Sequence, residues 1–312
     1  LPALKSPHSL LYATRPGALP ARFRRERLLL VGCGDIGLRV AALLRPRARL
    51  LALTSSPARV PELRACGITA LHGNLDEPAS LRRLSGLANR VVHLAPPPEG
   101  NDGDPRTKAL TRALRLRSPP QSFVYGSTSG VYGDLQGGVA TETRAANPYT
   151  SRARRRIDAE NRVRHFGRAT GVRSAILRIP GIYAPNRVGG TPRERLLRGT
   201  PMLCAADDVY TNHIHADDLA RTCVAALWRG APQRIYNTND DSCQKMGEYF
   251  EMAADLYGLA RPQRLTRAEA QQRLPLALLS FMSESRRMDN ARLKKELRLK
   301  LRYPTVAQGL VS

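Results

Sequence analysis

"RLLLVGCGDIGLRVAALLRPRARLLALTSS", residues 27–56, reads in order as strand, glycine turn, helix and strand. Leu28–Val31 is a short apolar run of the buried-strand type. Gly32, Gly34 and Gly37 follow in G-x-G-x-x-G spacing, then a helical pattern over Ile36–Leu44 and a second strand over Leu50–Thr54. Alone, the glycine spacing is a weak signal. Between a strand and a helix, in a βαβ unit of this length, it is specific. The first glycine permits the tight turn, and the second lets the backbone approach a pyrophosphate. The third lets helix and strand pack closely, and the helix N-terminus faces the anion. Asp35 and Ile36, inside the motif, count with the glycines as candidate cofactor-binding residues.

The end of the second strand normally selects the cofactor, through an acidic residue that binds the ribose 2′-hydroxyl of NAD. Here it carries Thr54, Ser55 and Ser56, with no Asp or Glu between Asp35 and Glu62, and Arg59 follows closely. Hydroxyls beside an arginine suit a 2′-phosphate, so the pattern predicts NADP, with NAD as the alternative. Arg59 as an ordinary solvated side chain is the competing reading.

The alternation continues through "GITALHGNLDE" (67–77), "NRVVHLAPPP" (89–98), "SFVYGSTSGVYGD" (122–134) and "VRSAILRIPGIYAP" (172–185), with helical patterns such as "DPRTKALTRALRL" (104–116) between them. Strands alternating with helices imply an α/β fold, a Rossmann-type doubly wound parallel sheet with ligands at the strands' carboxyl ends. The expected organisation is an NAD(P)-binding domain over 27–185 and a smaller C-terminal α+β substrate lobe over 186–312. Segments near 210–240 return to the first domain. Residues 1–26 are basic, with Glu26 the first acidic residue, and are expected to be a leader or a disordered tail.

Composition narrows the class. The net charge is +24, nearly all of it from arginine spread along the chain, while aromatics make up 5%. That is too few to build a stacking platform for nucleic acid. An arginine-rich genome composition plus an anionic small-molecule ligand is the favoured reading, with nucleic acid set aside. Cys33, Cys66, Cys204, Cys223 and Cys243 form no CxxC or Cys/His cluster, which suits a reducing cytoplasm and gives no structural metal. No apolar run approaches a membrane span. A His-x-His-x-Asp-Asp stretch at 213–218 invites a metal reading. It precedes an amphipathic helix, however, and Asp217 or Asp218 is expected to cap that helix.

The glycine motif together with "HLAPPP" (93–98), "STSGVYGD" (127–134), "LRIPGIYAPNR" (177–187), "NHIHADDLA" (212–220), "IYNTND" (235–240) and "ELRLKLRYPT" (296–305) resembles the extended short-chain dehydrogenase/reductases. These are the NAD(P)-dependent sugar-nucleotide epimerases and dehydratases. Within them the chain is most similar to an atypical, epimerase/dehydratase-like subgroup. The resemblance implies hydride transfer on a nucleotide-linked sugar or similar anionic carbonyl compound. The alternative is a regulatory or sensor module that keeps the dinucleotide site without the chemistry. It also implies further cofactor contacts at Asn74, Leu75, Leu94, Ala95, Pro96 and Pro180, and substrate contacts at Ser129, Tyr183 and Arg187. A homodimer paired through a helical bundle is implied too, though Arg154–Arg156 sit awkwardly in such a seam.

The family's acid/base pair is a tyrosine with a lysine four residues on, the lysine charge lowering the tyrosine pKa. Thr128 takes the place of the family's strand-end hydroxyl. The pair itself is missing from "PYTSRARRRIDAE" (148–160). If Tyr149 is the tyrosine, the lysine position is Ala153. If the stretch is aligned by Glu160, the two positions are Arg152 and Arg156. Tyr149 and Thr128 are the candidate catalytic residues. Farther on, Arg286, Arg287 and Asn290 are candidates to face an anionic substrate, with a solvated basic face as the competing reading.

Overall fold

The computed structural model describes residues 25–100 and 102–311. The expectation for residues 1–26 falls almost wholly outside them. Seven strands form one parallel sheet: β1 (Glu26–Val31), β2 (Ala48–Thr54), β3 (Thr69–His72), β4 (Arg90–His93), β5 (Ser122–Thr128), β6 (Arg173–Ile179) and β7 (Arg234–Asn237). Their order is β7-β6-β5-β4-β1-β2-β3, and every neighbouring pair is parallel. The order reverses between β1 and β4, and ligands of such sheets bind at that switch point.

Alternation within β1 shows why the strand reads as an unbroken apolar run. Leu28 and Leu30 enter one core, Leu29 and Val31 the other. Both faces are covered, so neither register position can be polar. Helix α1 (Asp35–Leu44) packs on the first face. Helices α2 (Pro105–Leu114) and α3 (Ser151–Thr170) pack on the second, and α4 (Ala216–Arg229) returns to the first beside α1.

The lobe has its own core, in which Tyr183, Met202 and Leu265 surround Phe250 of helix α5 (Met246–Tyr257). The seventh sheet strand comes from the segment before residue 240, within the stretch expected to return to the first domain. One feature differs from the sequence reading: Leu293, Leu297, Leu299 and Leu301 leave the lobe and join the core under α1 and α4. Their apolar spacing is compatible with either core, and only the tertiary path decides between them.

Gly32 holds the switch point together. Its φ is +84°, and a Cβ there would stand 2.3 Å from the Ala95 backbone nitrogen. The β1 and β4 turns are therefore in backbone contact, joined by Leu94 N–H and Ala95 N–H donating to the Val31 carbonyl at 2.7 and 3.2 Å. Gly32→Ala meets both a strained φ and a steric block, so it is expected to lower unfolding free energy by about 1–3 kcal/mol. Urea denaturation of the two proteins checks this.

Candidate active site

A cleft of about 550 Å³ opens at the carboxyl ends of β1, β4, β5 and β6. One wall is the glycine turn. A Cβ on Gly34 would meet nothing within 4 Å, so this residue faces open space, whereas one on Gly37 would stand 3.3 Å from Cys33 Sγ and the Gly32 carbonyl. Gly34 precedes α1 without a side-chain cap. The first N–H groups of the helix therefore open on the cleft where Asp35, Ile36 and Gly37 line it. This cradle fits a pyrophosphate. Asp35 would place a negative charge beside that anion, but Arg39 Nε at 3.0 Å and Arg187 Nε at 3.1 Å hold its carboxylate. Arg187 thus lies at the glycine-turn end of the cleft, tied to the helix start.

Leu94 and Pro180 also line the cleft. The remaining expected cofactor residues lie outside its lining. Thr54 Oγ1 accepts from Ser56 N–H at 3.2 Å and turns the chain back on itself. Ser55 is exposed. Arg59 donates two hydrogen bonds to Glu62, at 3.1 and 3.2 Å. The Asn74 side chain builds its own turn, accepting from Asp76 N–H and donating to Glu77, and Leu75 packs against the second core. Ala95 is buried beneath Gly32, while the Pro96 carbonyl accepts from Arg106.

The other half of the cleft is built on β5 and α3. Thr128 and Ser129 line it. Thr128 Oγ1 accepts from Gly130 N–H at 3.3 Å, which leaves the hydroxyl proton free to donate. Thr150 caps α3 by accepting from Ala153 N–H. One helix face then presents Arg152, Ala153 and Arg156 to the cleft. Arg156 Nη1 donates to the Gly126 carbonyl at 2.6 Å and to Tyr125 Oη at 3.2 Å, and the Arg152 guanidinium lies 5.1 Å from the Phe281 ring centre. Tyr149 is 82% exposed and precedes the helix, outside the lining. Of the two alignments of this helix, the geometry therefore follows the one that closes on Glu160.

Glu160 explains that choice. It is fully buried and accepts Ser127 Oγ–H at 2.6 Å, together with a fork from Arg178 Nε and Nη2 at 3.1 and 2.8 Å. The Arg178 guanidinium also lies over the Tyr132 ring, whose hydroxyl donates to Asn237 Oδ1 at 2.6 Å. One buried chain of contacts thus runs from the β5 turn through α3 and β6 to β7. Its anchor residue in the helix must face inward.

Tyr183 corrects the expectation of a substrate contact. It is 2% exposed, its hydroxyl donates to the Thr305 carbonyl, and its ring sits edge-on to His213 and His215. His215 is the cap of α4, its Nδ1 accepting from Asp217 N–H. Asp217 instead pairs with Arg39, and buried Asp218 accepts from Arg302 and Tyr303 N–H. Among the described residues no group of His, Cys, Asp and Glu is arranged to hold a metal. The lobe closes the cleft with Tyr210, Asn212, Met246, Phe281, Glu284 and Arg286. Of these, Arg286 was singled out from the sequence and Asn212 opens the stretch at 212–220; Tyr210, Met246, Phe281 and Glu284 come from three separate segments whose meeting no local motif signals. Arg287 stacks over Tyr210, and the Asn290 amide is used by the Asn239 and Asp240 carbonyls.

A parallel sheet with a glycine turn at its switch point, facing a hydroxyl-bearing β5 end, defines a Rossmann-type dinucleotide-binding protein. The chain belongs to the NAD dependent epimerase/dehydratase family, whose model matches residues 30–238. A functionally unknown conserved protein from Silicibacter pomeroyi is 28% identical, with a TM-score of 0.78 over 92% of this chain and 97% of that one. A nucleoside-diphosphate-sugar epimerase from Pseudomonas aeruginosa shares the fold at 18% identity and TM-score 0.76, over 92% and 96% of the two chains. So does a UDP-glucuronic acid 4-epimerase from Bacillus cereus in complex with NAD, at 17% identity and TM-score 0.70 over 91% and 95%. No curated protein matches the sequence significantly. Among the described residues no helix is long and apolar enough to cross a membrane.

Two outcomes follow from the buried groups. Glu160→Gln leaves the Arg178 charge buried without its counter-ion and is expected to cost about 3–5 kcal/mol of stability. The double variant Glu160→Leu/Arg178→Met is expected to lose less, and urea unfolding distinguishes them. The second outcome concerns pH. Burial pushes the Asp240 carboxyl up to about 8 and holds His93 and His213 down to about 3. The folded state keeps the Asp240 proton that the unfolded chain releases near pH ~3.9, so this group makes stability fall as pH rises through that window. The histidines act oppositely. They stay neutral when folded and charge near pH ~6.5 when unfolded, so their contribution is lost as pH falls from there toward 3. Asp240→Asn is expected to abolish the decline in urea midpoint between pH 6.5 and 8 while leaving the acid-side loss in place.

Proposed function

We propose that this chain is an NAD(P)-dependent oxidoreductase of the epimerase/dehydratase type, working in the carbonyl-reducing direction on an anionic, nucleotide-linked substrate. The observation that carries this reading is the α3 face, where Arg152 and Arg156 line the same cleft as Thr128. Adding hydride to a carbonyl builds negative charge on its oxygen. A hydroxyl donor and a nearby guanidinium stabilise that charge without needing to titrate. Neither can take a proton at working pH, so the reverse oxidation of an alcohol lacks a base. The dinucleotide, when bound, supplies the hydride. Thr128 orients the carbonyl, the arginines hold the oxyanion and the substrate's own negative groups, and the final proton comes from water.

NADP is the favoured dinucleotide, on the strength of the Thr54 and Ser55 hydroxyls and Arg59 at the end of β2. The Arg59–Glu62 pair is exposed on both sides. Such pairs are weak, so a 2′-phosphate can draw Arg59 from Glu62. A nucleotide-linked substrate is supported by the fold shared with the nucleoside-diphosphate-sugar epimerase of Pseudomonas aeruginosa. The second reading, a dinucleotide-binding sensor module, is favoured by the same helix face, because no tyrosine or lysine stands on it in the cleft.

Single-turnover transfer from bound NADPH to a panel of nucleotide-sugar ketones separates the two. Thr128→Val is expected to slow transfer by about 10²-fold, the usual effect of removing one oxyanion donor. Tyr149→Phe is expected to leave it unchanged, since the ring stands in solvent. NADPH binding with no transfer to any ketone sinks the enzyme reading and leaves the module.

A further inference from the structure

At the opposite end of the sheet from the cleft, where β1, β2 and β3 begin, lies a second hollow of about 390 Å³. It is lined by Arg25, Arg27, Arg45 and Arg49 with Gly67 and Thr69. Arg27 and Arg49 are direct partners in the β1–β2 ladder. Neighbouring strands are about 4.8 Å apart, and like charges directly opposite repel.

Nothing described neutralises this group. Among the described residues none of the four arginines joins an ion pair. Arg27 Nε donates to the neutral Asn89 Oδ1 at 3.4 Å, and Arg45 Nη2 to the Ala65 carbonyl at 3.2 Å. The adjacent Glu26 carboxylate pairs with Arg90. Residues 1–24 contain no Asp or Glu. The arrangement also has a built element. Gly67 has φ +71°, and a Cβ there would stand 2.8 Å from Arg45 Nε, so this glycine lets the guanidinium lie against the turn.

We propose that this hollow binds a chain of two or more linked phosphates, with phosphate oxygens bridging Arg27 and Arg49. Guanidinium forks match phosphate geometry bidentately. The lining holds no aromatic ring on which a base could stack, and its one large apolar residue, Leu50, is 2% exposed. The group recognised is therefore the phosphate chain, not a nucleobase or a bilayer interior. The site stands apart from the dinucleotide cradle, which lies at the carboxyl ends of the same strands.

Calorimetric titration of the full chain with inorganic tripolyphosphate tests it, with orthophosphate as control and NADPH affinity measured in parallel. Tripolyphosphate is expected to bind more tightly than orthophosphate, to raise the melting temperature and to bind less well as salt is raised. Arg27→Gln/Arg49→Gln is expected to weaken it by roughly tenfold or more, the loss of two charge-assisted contacts. The same variant should keep its NADPH affinity and, with repulsion relieved, melt no lower than wild type without ligand. Arg25→Gln/Arg45→Gln serves as a second, independent variant on the other side of the hollow. Undiminished tripolyphosphate binding in both variants overturns the proposal. So does binding to single-stranded RNA or phosphatidylserine vesicles with none to tripolyphosphate. Because the readout does not involve the cleft, failure of the hydride-transfer reading would leave it untouched.

Discussion

Arg178 lies in the interior of a parallel sheet, and Glu160 is the reason the sheet can hold it there. An unpaired guanidinium at 3% exposure would be strongly destabilising. The carboxylate that pairs with it comes from α3, so the helix must lie on β5 and β6 with that face inward. The rest of the site follows from this one contact. Ser127 is drawn down onto Glu160, which leaves the next hydroxyl, Thr128, at the cleft. Counting back along the helix from Glu160 brings Arg156 and Arg152 to the cleft wall and leaves Tyr149 beyond the first turn. On the far side Tyr132 passes the constraint to Asn237, whose amide donates to the Ala140 and Asp289 carbonyls where the lobe joins the sheet.

The resulting site has an unusual electrostatic character for its family. Cations stand where a titrating pair would be expected, and the acids nearby are already committed. Asp35 is shared by Arg39 and Arg187, and Glu284 is held by Arg286 at 2.7 Å. A cleft arranged in this way stabilises negative charge that arrives or develops. It has little means of removing a proton. The helix register decides that Arg152 and Arg156, and not Tyr149, meet the cleft.

The two ends of the sheet use arginine differently. In the cleft, guanidiniums are oriented by carboxylates and carbonyls. At the amino end, Arg27 and Arg49 face one another without a counter-ion among the described residues. Composition alone treats all of these residues as one excess of positive charge. Their partners separate those held by carboxylates and carbonyls from those without a counter-ion among the described residues.

The glycine turn and the apolar strands were legible in residues 27–56 because the constraints on them are local. A tight turn, a backbone approach and a doubly buried strand each restrict residue type at the position itself. The turn that forms one wall of the cleft was therefore readable, and so was the place of Thr128 at the cleft, since it sits at a strand end. Tyr183 was misread as a pocket residue because its neighbours along the chain look like a pocket wall. Its ring is in fact claimed by histidines and a carbonyl from distant segments. Thr54, Arg59 and Asn74 likewise found partners within a few residues of themselves, an option that a strand-end pattern does not reveal. The sequence by itself determined the parallel sheet, the glycine turn at its switch point and the absence of a lysine from helix α3, since each is written in residue type and short spacing. Which face of that helix meets the cleft was decided by tertiary structure alone. It depends on a buried ion pair between residues 18 apart on different elements, and only the folded chain brings them together.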